Sequence, residues 1–474
     1  MRGFIEKSSL ESCGVSSADA LKFVEEICRG LPGQETHSFM LIRHGKLLLE
    51  GYFSPYNEDT KHTLFSVSKS FASTAIGFLV SEGKVKVDDF IYQYFPELIT
   101  DDINKENLKI TIHDLLSMAF GQKGGAVHEA QKRNDLSNAM LYDFFYRDKD
   151  IDCGQEFRYD AYGTYMLSAL VNKITGKSLV EYLMPRLFEP LGIEEPYYIK
   201  DDLGVSIGYT GMRMSLRDLA KVGLTYLNNG MWNGKQLIPE DWTKLATQKH
   251  ISTDSCSTGL DWQEGYCYQF WRGRYNTYRF CGAFGQMCVI MPDYDAVFVV
   301  NSGFDNSKLS FILDMFYKNI MFNMKDYPLP EDKENNEKLE NVLSNLCLTF
   351  QFSEMSPMSK FINGQTYKIE EKGGYNAVKF NFSKESVIVE LSGKDKNYKF
   401  EAGFKSPIWG RADGTVFSMP ENKDCTDTIG TAIWHSKTEL EITLRFFGTP
   451  SILKVVADFS AEPSVKIVTQ RCKF

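Results

Sequence analysis

Apolar and polar positions along this chain fall into blocks whose period changes from strand to helix and back. Residues 38–52 read as a hairpin: Phe39-Met40-Leu41-Ile42, a turn at Arg43-His44-Gly45-Lys46, then Leu47-Leu48-Leu49-Glu50-Gly51-Tyr52. From Ser66 the spacing predicts a helix, with Val67, Phe71, Ala75, Ile76, Phe78 and Leu79 as its apolar positions and Gly83 as its C-cap. Ser66 then falls in the first turn. Most segments between about residues 111 and 245 keep helical periodicity, which predicts an all-α insertion. Strand patterns return at residues 266–271 and 279–298, the latter broken by a Pro292-Asp293-Tyr294-Asp295 turn. A first domain of sheet, helical block and sheet follows.

The charged, proline-bearing stretch at residues 325–338 has the character of a linker. After a short helix carrying Leu339, Val342, Leu343 and Leu346, strict alternation takes over in Lys379-Phe380-Asn381-Phe382, Val387-Ile388-Val389-Glu390-Leu391, Leu440-Glu441-Ile442-Thr443-Leu444 and Ile452-Leu453-Lys454-Val455-Val456. Short strands at such spacing predict a small barrel or sandwich. The expected division is a domain over residues 1–330 with its all-α part at about 88–250, a linker and short helix over 331–345, and a β domain over 346–474. A chain of 474 residues is longer than one core usually serves, in keeping with two.

Composition removes several function classes. Hydrophobic residues at 43% and charged residues at 24% are those of an ordinary globular protein. The net charge of -9, without a Lys/Arg cluster, argues against a nucleic-acid partner. No run reaches the roughly 20 apolar residues of a membrane helix, and Met1-Arg2-Gly3-Phe4-Ile5-Glu6-Lys7-Ser8 lacks the apolar core of a signal peptide. The expectation is a cytoplasmic protein with no membrane partner. Ten cysteines are scattered without a CxxC pair or framework spacing, so reduced thiols are expected. The seven histidines show no HxxxH or HxH, and His128-Glu129 lacks the second histidine of a zinc helix, so neither a metal nor another cofactor is expected. Oligomeric state is not legible.

Candidate chemistry begins with Ser66-Val67-Ser68-Lys69. A serine hydroxyl needs a neighbour to accept its proton, and a lysine three residues later on a helix lies on the same face. Ser81/Lys84 and Ser451/Lys454 share that spacing. Only Ser66 opens a long helix, whose N-terminal dipole favours developing negative charge. Acyl transfer also needs a proton donor for the leaving atom, and Tyr159, after the Gly154 turn, is the candidate among 24 tyrosines. The third element is Phe280-Cys281-Gly282-Ala283-Phe284-Gly285-Gln286. Glycine inside a strand marks a close approach, and an edge strand there aims the Ala283 amide, with that of Ser66, at an oxyanion. Gly204-Val205-Ser206-Ile207-Gly208 fits a nucleophile elbow but lacks the flanking strand and helix. Trp271 and the aromatic run Tyr142-Asp143-Phe144-Phe145-Tyr146 read as core filling, Gln286 as an edge-strand cap, and Arg213 and Asp218 as structural ion partners.

In this order, together with Ile112-His113-Asp114-Leu115-Leu116, Pro190-Leu191-Gly192-Ile193, Met214-Ser215-Leu216-Arg217-Asp218-Leu219-Ala220 and Gly265-Tyr266-Cys267-Tyr268-Gln269-Phe270-Trp271, the three elements resemble the motif set of class C β-lactamases, related esterases and D-amino-acid-specific peptidases. The resemblance covers about residues 15–320. It implies a β-lactamase/transpeptidase-like α/β (α+β) fold, with an antiparallel central sheet, helices on both sides and an all-α subdomain, and for the tail a barrel or lipocalin-like domain. It also implies roles: Ser66 as acylated nucleophile, Lys69 as proton acceptor, Tyr159 as shared acid/base, and the Ser66 and Ala283 amides as oxyanion hole, with Phe280 and Gly282 on the substrate strand. Two positions depart from the pattern. The family's Tyr-x-Asn is Tyr159-Asp160-Ala161, and the cation or imidazole of its Lys/His-Thr-Gly strand is Phe280, which cannot pair with a carboxylate. An acyl-serine hydrolase of small esters or amides, with weak or no β-lactamase activity, is the expectation. A D-amino-acid-specific peptidase and a catalytically impaired ligand sensor on the same fold stand beside it.

Overall fold

The computed structural model describes residues 5–123, 140–141, 143–412, 427–460 and 462–470. His128-Glu129 and Tyr142 lie outside them. The chain divides into two units, residues 1–32, 36–302 and 306–346, and residues 33–35, 303–305 and 347–474. The helix Lys333–Ser344 therefore lies inside the first unit, not in a free linker.

The first unit is built on a six-stranded sheet. We number its strands β1 (Glu35–Arg43), β2 (Lys46–Tyr52), β3 (Trp271–Arg272), β4 (Tyr278–Gly282), β5 (Gln286–Met291) and β6 (Ala296–Gly303). Their order across the sheet is β2-β1-β6-β5-β4-β3. The hairpins β1/β2, β3/β4, β4/β5 and β5/β6 are antiparallel. These strands are apolar on both faces because helices cover both. On one face Phe23 of α1 (Ser17–Arg29) packs edge-on against Phe39, Phe298 and Phe316. On the other, Phe71 of α2 (Ser68–Ser81) meets Phe280. Gly223, in the helix Leu216–Leu227, lies so near Cys288 that a Cβ would stand 2.4 Å from its sulfur.

The predicted β1/β2 hairpin and the Pro292 turn are present. The helix predicted from Ser66 is split: a 3-10 turn, Phe65–Val67, precedes α2, and Gly83 sits in the left-handed region just beyond its end. Among the described residues of 111–245 helices are the main regular elements, with short strands Tyr197–Tyr198, Met212–Met214, Met231–Trp232 and Lys235–Gln236 between them. The run 266–271 is a strand only at its end. Gln269 has φ 64°, and its buried amide donates to the Leu115 and Leu116 carbonyls, so this stretch turns where alternation predicts extension.

Among the described residues the second unit is a nine-stranded sheet running from Thr366–Lys372 to Ser464–Gln470, antiparallel except where Asn397–Gly403 meets Asp427–Trp434 in parallel, and its first and last strands lie against each other. The result is a nearly closed barrel. Its interior is filled, by Val378, Phe380, Val387, Val389, Leu391, Leu444 and Trp434 among others. Outward residues such as Glu390 pair with Lys379 and Lys399, which is the alternation visible in the sequence. Among the described residues no helix is long and apolar enough to cross a membrane.

A buried histidine pair leads into the segment that carries Ser66. His62 Nδ1 donates to the Thr63 carbonyl at 2.9 Å, so its Nε2 accepts from His37 Nδ1, also at 2.9 Å. Loss of water and the adjacent His37 hold the His62 imidazole well below the ordinary histidine range. The unfolded chain binds the proton that the folded one refuses, so stability is full above about pH 6.5 and falls as pH drops below it, by up to about 1.4 kcal/mol per pH unit. Melting curves between pH 7.5 and 5 should show a steeper fall for the parent protein than for His62→Gln. Parallel curves would contradict this.

Candidate active site

Ser66 occupies the 3-10 turn that leads into α2 and is partly exposed, whereas Lys69 one turn on is only 3% exposed. The helix brings them together as the three-residue spacing requires: Lys69 Nζ donates to Ser66 Oγ at 3.2 Å. It also donates to the Tyr209 carbonyl at 2.8 Å. Aromatic faces flank the ammonium, with the Tyr159 ring centroid at 4.9 Å and that of Tyr209 at 5.6 Å. The segment bearing Tyr209 is fastened to the start of α2. The Tyr198 hydroxyl reaches the Ser68 carbonyl at 2.9 Å and the Gly208 carbonyl at 2.5 Å, and the Met212 amide donates to Ser68 Oγ at 3.0 Å.

Strand β4 ends beside the Ser66 turn. A Cβ on Gly282 would stand 2.2 Å from the Leu64 carbonyl oxygen, so only glycine lets the strand approach the backbone two residues before the serine. Ala283 and Phe284 pack on Phe65. Phe65 (φ 49°) and Phe284 (φ 63°) both sit in the left-handed region that bulky residues avoid, and their rings meet edge to face at 5.2 Å. Such backbone conformations cost on the order of 1–3 kcal/mol each and persist only where surroundings enforce them. Here the enforcement is visible. Buried Gln286 donates to the Ala283 and Ser302 carbonyls, Ser302 Oγ donates to the Phe284 and Gly285 carbonyls, and the Phe284 amide is held by Asn306 Oδ1 at 2.9 Å.

Tyr159 shares a hydrogen bond with Ser66. The residue is 43% exposed, yet protein atoms crowd its hydroxyl, and that desolvation pushes the phenol above the ordinary tyrosine range against the opposing pull of the bond to Ser66. The phenol therefore keeps its proton at neutral pH. Trp271 stacks on its ring at 5.8 Å, and Phe157 and Tyr266 complete the support. Trp271 is buried, as core filling requires, but part of what it packs against is Tyr159.

A family model described as Beta-lactamase matches residues 28–310, more than half of the chain. The chain belongs to the beta-lactamase family. It is a hydrolase of that family, similar to the 6-aminohexanoate-dimer hydrolase of Paenarthrobacter ureafaciens, 25% identical over 309 residues that make up 61% of this chain and 76% of the relative. Among solved structures, the octameric penicillin-binding protein homologue of Pyrococcus abyssi shares the fold at 16% identity and TM-score 0.51, over 96% of this chain and 98% of its own. EstCE1, a hydrolase with promiscuous acyltransferase activity, does so at 16% identity and TM-score 0.51, over 64% of this chain and 100% of its own.

The family's Tyr-x-Asn amide has no stand-in at Asp160. That carboxylate caps the helix Ala161–Thr175, accepting from the Tyr162 amide at 2.7 Å, and pairs with buried Arg147 at 2.7 Å. Its effect is on position: it anchors the backbone next to Tyr159. Phe280 likewise leaves the family's cationic role empty. Its ring is fully buried among Phe71, Tyr226 and Phe270, on the face of β4 that α2 covers. Cys281, the next residue along the strand, points to the other face, near Tyr159 and Tyr266.

The rival strings carry other roles. Ser206 of the elbow-like sequence is fully buried and accepts from the Leu179 amide. Ser81 bonds its own helix while Lys84 pairs with Glu82, and Lys454 pairs with Glu441 in the β unit. Phe144 and Phe145 are core residues. Arg213 donates to the Lys61 carbonyl and Asp218 pairs with Lys221. Sequence reasoning missed Tyr209, Gln286 as a brace for the Ala283 turn, Ser302 and Asn306. The only signal for Tyr209 was its place between the turn glycines Gly208 and Gly211.

Because the obstacle at Gly282 is backbone, neither side can yield cheaply. Gly282→Ala should lose about 1–3 kcal/mol in urea unfolding, as overpacked sites do, and should slow phosphonylation of Ser66 more than a control Gly234→Ala, where a Cβ meets nothing within 4 Å. Equal rates in the two variants would show that the contact does not shape the site.

Proposed function

We propose that the chain hydrolyses small esters or amides of apolar character through an acyl-enzyme on Ser66. The observation that carries this reading is the convergence of the Lys69 ammonium and the Tyr159 hydroxyl on one partly exposed serine oxygen. In its amine form Lys69 takes the Ser66 proton as Oγ attacks the carbonyl carbon. Tyr159, protonated at rest, hands its proton to the leaving oxygen or nitrogen and is reprotonated by the Lys69 ammonium, which carries the proton taken from Ser66. The amides of Ser66 and Ala283, at the helix start and the strand end joined by the Gly282 approach, receive the oxyanion. Water then attacks the acyl-enzyme by the same relay in reverse.

The burial of Phe280 supports a substrate without a carboxylate at that place, and hence weak or absent β-lactamase activity. A 6-aminohexanoate-dimer hydrolase is among the relatives, which agrees with a hydrolytic reading. Residues 1–330 hold every group invoked, and scattered thiols fit a cytoplasmic setting.

Short p-nitrophenyl acyl esters should be turned over by the parent protein, with Ser66→Ala inactive and Lys69→Ala and Tyr159→Phe each slower by roughly 10²–10⁴-fold. A chromogenic cephalosporin should be turned over far more slowly than the esters. Ester turnover by Ser66→Ala at the parent rate would end the proposal.

A further inference from the structure

The ammonium of Lys69 is buried in this chain without the family's amide, since Ala161 has no polar side chain and both oxygens of Asp160 are engaged at the helix cap and Arg147. What stands against Lys69 instead is aromatic. Tyr209 gives its carbonyl at 2.8 Å and its ring at 5.6 Å, and Tyr159 gives its ring at 4.9 Å. A cation within about 6 Å of a ring centroid is attracted by the negative face of the ring, most strongly where water is excluded. Tyr209 is 8% exposed, so the ring is in such a place. It is also fixed there, because Gly208 packs on the Thr164 carbonyl and Gly211 on Ile199 so closely that a Cβ would fall within 2.8 Å and 2.9 Å of them, and both have positive φ.

We propose that the Tyr209 ring is a positioning residue for Lys69, the second wall of an aromatic slot that holds the ammonium against Ser66 in place of the missing amide. This rests on the acyl-serine reading for its consequence in catalysis, but the slot itself does not. Among the groups that face the ammonium are Ser66 Oγ, the Tyr209 carbonyl and the Tyr159 and Tyr209 rings. Behind Tyr209, and close enough to interact with it, Tyr165 donates to the carboxylate of Asp201 at 2.7 Å, so any long-range charge effect has a known source to test. The two ring faces favour the charged form of Lys69.

The test titrates Lys69 itself, by NMR of full-length protein carrying ¹³Cε-lysine, with the Lys69 signal assigned by its loss in Lys69→Met. Replacing Tyr209 by phenylalanine and then by phenylalanines of increasing ring fluorination keeps the shape while weakening the ring's negative face. The midpoint should stay in place for Tyr209→Phe, fall stepwise along the fluorinated series, and fall by roughly 0.4–1.5 pH units in Tyr209→Leu. The acid limb of the pH profile for p-nitrophenyl butyrate turnover should move by the same amount and in the same direction. A flat fluorinated series overturns the proposal, as does Tyr209→Phe falling as far as Tyr209→Leu, or an equal fall in Asp201→Asn. Should Tyr209→Leu not fold, the shape-conserving series still decides. Absence of turnover in the parent protein would sink the catalytic reading while leaving the titration of Lys69 interpretable.

Discussion

An ammonium taken almost wholly out of water must have its hydration replaced, or the chain does better to keep the lysine outside; the unreplaced cost runs to several kcal/mol. The partners that meet that demand for Lys69 include a serine oxygen, a backbone carbonyl and two aromatic faces. Those partners come from three separate parts of the chain, so the fold must deliver the turn at Ser66, the strap at Tyr209 and the segment at Tyr159 to the same few ångströms. Much of the first unit reads as the means of that delivery. Tyr198 and Ser68 tie the strap to the helix, and the Arg147 pair at Asp160 ties the start of the helix Ala161–Thr175 beside Tyr159.

The second constraint is steric. Strand β4 comes so near the Leu64 carbonyl that glycine alone fits, and on either side of this contact a phenylalanine is held in the left-handed region. Strain of this kind is stable only when distributed supports hold it, and the side chains of Gln286, Ser302 and Asn306 supply them from β5, β6 and the turn that follows. An amide placed by such a turn does not need to reorganise when charge develops near it, which is what an oxyanion site requires. The bonds from Gln286, Ser302 and Asn306 thus link sheet packing to chemistry.

The parts legible in the sequence were those whose signal is local or ordered along the chain. Ser66 and Lys69 share a helical face, the glycine of β4 announces a close approach, and motif order from Ile112 to Gly282 carries the family. The alternating tail gave its barrel directly, because a filled interior demands apolar residues at every second position. Tyr209 stayed hidden because its contact with Lys69 joins residues 140 apart through tertiary packing, and no period or spacing encodes that. Alternation at 266–271 misled for a related reason: Gln269 turns the backbone to satisfy carbonyls of a helix far away in sequence. Asp160 stands one place short of the family's amide, and its carboxylate is consumed by a helix cap and an arginine, both visible only once the loop before Tyr159 is folded.

The account stands or falls on Ser66 as the atom that becomes acylated, with the strand end poised over it. The most direct measurement is a crystal structure of the protein after treatment with a fluorophosphonate. It should show phosphorus bonded to Ser66 Oγ, a phosphonyl oxygen within hydrogen-bond reach of the Ser66 and Ala283 amides, and the Tyr159 hydroxyl facing the departed group. Phosphorus on another residue, or an adduct on Ser66 with its oxygen turned away from both amides, would contradict it.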